Sequence, residues 1–128
     1  MTTVMQNLQS LQETYSAAWA AHDPEGIADL HTEDTRFEMH IGTPPIVGRA
    51  ALRKACEEIF QLYGNFRSEL HRVLYGDAHW VLEWRLHATL DGKDLSIDCV
   101  DVVVVSEEGL VARKDSYMDA GQLQSALS

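Results

Sequence analysis

Cysteine is scarce in this sequence of 128 residues: Cys56 and Cys99 are the two it has. Two thiols so placed build neither a disulfide scaffold nor the paired spacing of a zinc site, so both are expected as buried free thiols. Proline is as thin, at three residues, and no stretch is rich in proline, serine or glycine. That composition excludes a linker or low-complexity segment. No apolar run approaches the about 20 residues that a membrane-crossing helix requires. The segment Met1-Thr2-Thr3-Val4 lacks the basic and apolar stretches of a signal peptide, and a cytoplasmic protein is expected. Basic side chains are outnumbered, 10 against 20 acidic, for a net charge of -10. Such a surface repels phosphate backbones and anionic headgroups, so neither nucleic acid nor a membrane is an expected partner. The six histidines include no pair at the i, i+4 spacing of a helical zinc site, and neither common glycine-rich phosphate loop is present. No metal and no cofactor are expected.

What is present is apolar patterning. With 45% hydrophobic residues, a chain of this length buries about two thirds of its unfolded surface, enough for one domain over residues 1–128. Thr3 and Gln6 read as a capping box, and Val4, Leu8, Leu11, Tyr15, Ala18, Trp19 and His22 recur along one helical stripe that ends near Ala21. Asp23-Pro24 opens a short second helix to about His31. Phe37 to Ile41 alternates as a strand with Phe37, Met39 and Ile41 inward. Leu52, Ala55, Cys56, Ile59 and Tyr63 mark a third helix between Gly48 and Gly64. Strands then follow over Phe66–Tyr75, His79–Leu90, Asp94–Ser106 and Leu110–Met118, with Asp91-Gly92 as a two-residue hairpin turn and a weak terminal helix after Gly121. Helices first and a strand meander last predict an α+β cone: three N-terminal helices packed on a curved antiparallel sheet.

The return strand carries the informative interruption. Alternation puts Leu95, Ile97, Cys99, Asp101, Val103 and Val105 on one face, so one carboxyl breaks an apolar row. Desolvation disfavours the charged form of a carboxyl in such surroundings, and a neutral acid donates a hydrogen bond to a developing oxyanion. The plainer reading has Asp101 at the cone mouth, solvated or paired with arginine. Tyr15 shares the inward stripe of the first helix, so its hydroxyl needs a partner. In the long strand Trp80, Leu82, Trp84 and Leu86 take one side, assigned to the pocket. Val81, Glu83, Arg85 and His87 take the other.

At these residues the chain resembles a known family. Tyr15 to Gly48, with its Asp23-Pro24-Glu25-Gly26-Ile27 turn, Glu33-Asp34 pair and Gly42-x-x-Pro45-x-x-Gly48 loop, is similar to the first half of ketosteroid isomerase. Leu82 through Gly92, Asp101 and Gly109 to Met118 is similar to its second half. The resemblance extends to the SnoaL-like polyketide cyclases and implies the NTF2-like cone-shaped roll. It implies that Tyr15 is the oxyanion-hole tyrosine and Asp101 the protonated acid beside it. It implies also a homodimer through the outer sheet face, where charged residues carry apolar stems. One departure stands out. The family's proton-shuttling aspartate falls on Met39, which accepts no proton.

Two groups are candidates for the missing base. His40 flanks Met39 and is of the residue type most used as a base, although alternation turns it outward unless a bulge shifts the register. Lys114 shares a face with Ala112, Ser116 and Met118, which the family register turns toward the pocket. There it is a base or an anchor for an anionic substrate, and a lysine that snorkels to the rim is the commoner outcome. Relatives of the limonene-epoxide-hydrolase type carry an Arg-x-Asp on the long strand and a further Asp on the last. Here Arg85-Leu86-His87 and Ser116 stand in those places, which disfavours epoxide opening. Trp19, Met39, Cys56, Trp84, Leu86 and Met118 are expected to line the cavity for a small hydrophobic ligand. Two functions fit: an isomerase, cyclase or dehydratase acting on an apolar carbonyl compound, or a non-catalytic binding protein using the same pocket.

Overall fold

An apolar stripe in a run of good helix formers folds Val4–Ala20 into α1. The computed structural model describes residues 4–128, with side chains from residue 7, so the capping box of Thr3 and Gln6 lies outside what it describes. The helix ends in a Schellman motif. His22 takes the left-handed conformation (φ 52°), its N–H reaches the Trp19 carbonyl at 3.1 Å, and the Asp23 N–H reaches that of Ala18 at 3.2 Å. Asp23 then caps α2 (Pro24–Asp29), accepting from the Gly26 N–H at 3.0 Å, with Pro24 in the first turn. Asp23→Ala is expected to cost about 1 kcal/mol. The urea midpoint should fall at unchanged m-value, and an unmoved midpoint would mean that this bond contributes nothing.

The chain passes from α2 directly into β1 (His31–Met39). This corrects two sequence expectations, that helix two reaches His31 and that the strand begins at Phe37. Residues 31–36 are His, Thr, Glu, Asp, Thr and Arg, and with no apolar side chain they show no period. Pairing decides their state: His31 lies opposite Val111 and Arg36 opposite Arg113, parallel. A second correction falls at the other end. Ile41 is 38% exposed, because the strand stops at Met39.

A short β2 (Ile46–Val47), which carries too few residues for a periodic signal, pairs antiparallel with β1. Gly48 (φ 97°) turns the chain into α3 (Arg49–Leu62), a backbone region open essentially to glycine alone. The rest is β3 (Gly64–Tyr75), β4 (His79–Leu90), β5 (Lys93–Val105), β6 (Val111–Met118) and α4 (Ala120–Leu127). The sheet order is β2-β1-β6-β5-β4-β3. It is therefore antiparallel except where β1 and β6 run parallel, a departure from the all-antiparallel expectation. Asp91 and Gly92 both have positive φ, the backbone of a type I′ hairpin, and they fix Leu90 opposite Lys93.

Along β4 and β5 the pleat sorts the side chains as expected. Trp80, Leu82, Trp84, Leu86 and Ala88 are buried, as are Leu95, Ile97, Cys99, Asp101 and Val103. All of these but Asp101 join Leu8 and Tyr15 of α1 and Leu52, Cys56 and Ile59 of α3 in one core. Register shifts in β3, between Gly64 and Arg67 and between Leu70 and Arg72, bend that strand and sharpen its twist. No helix among the described residues is long and apolar enough to cross a membrane.

Candidate active site

Between the helices and the concave sheet lies a cavity of about 370 Å³. Its wall is apolar over most of its extent, with Trp19 from α1, Ile59 from α3, Tyr63 just past the end of α3, Phe66 from β3 and Trp84 and Leu86 from β4. Met39 and Met118 line it from β1 and β6. Cys56 does not: it is fully buried in the core under α3 and outside the lining. The helical period that turns Cys56 inward is the same for core and cavity, so sequence alone did not separate them. Ile59 and Tyr63 carry the same ambiguity, and for Phe66 the period of its strand likewise marks an inward face without separating core from cavity.

Among the polar groups that interrupt this wall, three lie together. Lys114 Nζ stands 3.4 Å from the Tyr15 hydroxyl oxygen and 3.6 Å from Asp101 Oδ2. It also lies over the Trp19 ring, 4.3 Å from the centroid, where the negative ring face favours a cation. Lys114 is 5% exposed and Asp101 4%. The expectation that Lys114 snorkels to the rim is thereby corrected. Opposite Phe37 and Val103 in the ladder, its stem is enclosed on both sides, and Tyr15 and Asp101 supply the partners that water would otherwise supply.

Burial works against the Lys114 charge, but Tyr15 and then Asp101 outweigh it and hold the ammonium above the ordinary lysine range. Burial pushes the Tyr15 hydroxyl up, opposed in part by Lys114. At neutral pH the pair is an ammonium beside a neutral phenol. Lys114 therefore offers charge and protons, not a free amine. Asp101 Oδ1 has no hydrogen-bond partner among the described residues, nor do the indole N–H groups of Trp19 and Trp84.

Behind Tyr15 sits a residue that sequence reasoning assigned to a helix end. His31 is fully buried, with Nε2 2.9 Å from the Tyr15 oxygen and Nδ1 2.8 Å from Thr35 Oγ1. Burial, with the nearby charges of Lys114 and Arg49, lowers its pKa to about 3, so the imidazole is neutral. No period announced it, because its own strand lacks one.

His40 is not part of the cavity. It projects from the outer face, stacked on Tyr117 at 4.1 Å and bonded through Nε2 to Asp115 at 2.9 Å. No bulge turns it inward, and the alternation that sends Met39 in sends His40 out. Glu38, His40 and Asp115 offer three ligand atoms within 4.8 Å of one another. Arg36 and Arg113, at 2.8 Å from Glu38 and Asp115, already neutralise the two carboxylates, an arrangement that disfavours a cation. Cys56 and Cys99 are poor nucleophiles, with burial pushing their thiols up to about 11 and about 12.

Comparison with known proteins bears on this geometry. The family model of the SnoaL-like domain matches residues 12–114. No curated protein matches the sequence. Among solved structures, a protein of ketosteroid isomerase-like fold from Catenulispora acidiphila DSM 44928, in complex with trimethylamine, aligns with a TM-score of 0.82 at 13% identity over 91% of this chain and 90% of its own. The epoxide hydrolase/cyclase-like enzyme SalBIII, which has a role in pyran ring formation in the polyether salinomycin, aligns with a TM-score of 0.82 at 18% identity over 92% and 95%. A protein described as a SnoaL-like polyketide cyclase, from Shewanella denitrificans OS-217, aligns with a TM-score of 0.80 at 15% identity over 94% and 96%. At such identities the likeness is one of fold.

Proposed function

This chain belongs to the SnoaL-like domain family, and from that premise we propose that it is an enzyme acting on a small apolar carbonyl compound, steroid-like or polyketide-like. The observation that carries the proposal is the buried ammonium of Lys114, set against Tyr15 and Asp101 at the wall of a mostly apolar cavity. Isomerisation, cyclisation and dehydration share one demanding step, removal of a proton next to a carbonyl. The C–H electrons move into the carbonyl, and charge collects on its oxygen. A positive group fixed in a dry site stabilises that oxygen more than it stabilises the neutral ground state.

The same cluster supplies an acceptor for the proton. Asp101 is held by Lys114 through Oδ2, while Oδ1 makes no hydrogen bond. Asp101 takes the substrate proton and returns it to a different carbon or to a leaving hydroxyl. This role replaces the neutral donor that the resemblance implies, because the Lys114 ammonium already fills that part. It also supplies what Met39 cannot. The non-catalytic reading draws its support from Met39, whose thioether lines the cavity where the family keeps a carboxylate.

Turnover of a β,γ-enone, beside binding of a naphthol as a mimic of the enolate, separates the two. Asp101→Asn is expected to lower turnover about a hundredfold while naphthol binding survives. Naphthol binding by a wild-type protein that turns over no enone would favour the binding protein.

A further inference from the structure

The polar hydrogens of Thr35, His31 and Tyr15 can be assigned from their neighbours. Thr35 Oγ1 lies 3.3 Å from both the Val111 and the Ala112 carbonyl oxygens. Carbonyls only accept, so Thr35 Oγ1 can bond to them only by donating its single proton. Thr35 Oγ1 then accepts from His31 Nδ1, 2.8 Å away, and Nδ1 carries the one ring proton of a neutral imidazole. Nε2 is left as a bare lone pair 2.9 Å from the Tyr15 oxygen, and the Tyr15 proton must point at it. The Tyr15 oxygen in turn accepts from Lys114 at 3.4 Å.

The opposite tautomer fares worse. With the proton on Nε2, the Tyr15 oxygen would receive from both His31 and Lys114, and its own proton would have no acceptor among the described residues. A buried donor left unpaired suffers the full loss of its hydration. Only the first arrangement gives all three protons a partner.

We infer that His31, locked by Thr35 with its proton on Nδ1, is the positioning residue of the site: it draws the Tyr15 proton away from the cavity and leaves Lys114 as the group that donates to a ligand's oxyanion. Tyr15 then serves as the acceptor that fixes the ammonium. Of the three Lys114 protons, one is donated to Tyr15, and the other two face Asp101, 3.6 Å away, and the cavity, where a ligand's oxygen can accept. The groups packed about the imidazole support its neutral state: Lys114 from β6, Tyr15 from α1, and Arg49 from α3, whose Nε donates to the His31 carbonyl at 3.0 Å. Burial and the two cations keep its pKa at about 3. The choice of oxyanion donor rests on the proposed function, whereas the tautomer does not.

Nitrogen-15 NMR of histidine-labelled protein reads the tautomer directly, with the His31 ring assigned by through-bond correlation to its backbone. The expected spectrum has a protonated Nδ1 and a bare Nε2, unchanged from about pH 8 to about pH 5. In Thr35→Val, which removes the Nδ1 acceptor at nearly constant volume, the proton should move to Nε2. A wild-type Nε2–H, or a ring that titrates near the ordinary histidine value, would overturn the inference. Naphthol affinity gives a second arm. Tyr15→Phe should weaken binding by less than about threefold with Thr35 present and by about tenfold in the Thr35→Val background. A tenfold loss in the otherwise wild-type protein would overturn the donor assignment. Enone turnover, read separately, reports on the proposed function alone, so a wrong tautomer in an active enzyme and a right tautomer in an inactive one are distinct results.

Discussion

Lys114→Met is expected to destabilise the protein by about 3 to 5 kcal/mol at neutral pH, the loss that follows when one partner of a buried ion pair is removed. The side chains of Lys114 and Asp101 are 6% and 5% exposed, with Nζ 3.6 Å from Oδ2. Methionine fills much of the lysine volume, so a cavity contributes little to the loss. What remains is a carboxylate in an apolar wall with neither oxygen paired. The double variant Lys114→Met, Asp101→Leu removes that uncompensated charge and is expected to be more stable than the single one, because apolar replacement of both members of a buried pair is often neutral. Chemical denaturation of the three proteins at pH 7 checks the ordering. A loss below about 1 kcal/mol for Lys114→Met would be the behaviour of a solvated pair, and the proposed dry electrostatic site would go with it. The Lys114 contribution also has a pH limit. Its folded pKa is raised, so the stabilisation is complete below the ordinary lysine value and is lost as pH rises through the folded one.

Acid acts through a different residue. His31 has a folded pKa of about 3 against an ordinary 6.5, so below pH 6.5 the unfolded chain binds a proton there that the folded chain refuses. Stability therefore falls as pH falls, by about 1.4 kcal/mol per pH unit, and the loss from pH 6.5 to pH 3 amounts to about 4 to 5 kcal/mol. The range from pH 6.5 to about 5 isolates the effect, since carboxylates in the unfolded chain take up protons mainly below it. Urea midpoints across that range should show a one-proton slope that His31→Gln removes. An equal slope in the variant would mean that the imidazole is charged, or wet, in the folded protein.

Several elements were legible because their signals are local. The Asp91-Gly92 turn and the two alternating rows beside it define the β4–β5 hairpin to within a residue, and one stripe of side chains turns Tyr15 and Trp19 of α1 inward. The N-terminal half of β1 was not legible: residues 31–36 are polar throughout, and their strand exists because β6 lies beside it. Lys114 was an intermediate case. Its inward direction follows from alternation and the family register, while its burial depends on which groups face it from other elements.

The order of the covalent chain thus settled most of the elements, their faces and the presence of a tyrosine, an aspartate and a lysine on inward-turned rows, since period and turn chemistry act over a few residues. Folding in three dimensions decided which of those groups meet. Asp101 stands opposite Ser116 while Lys114 stands opposite Val103, so the pair are diagonal neighbours whose contact depends on the register between β5 and β6. Tyr15 and His31 meet only because α1 packs across the sheet against β3 and β4, which brings the Tyr15 hydroxyl to the start of β1. Contacts between distant segments are fixed by strand register and helix packing, and no local pattern in a chain records them.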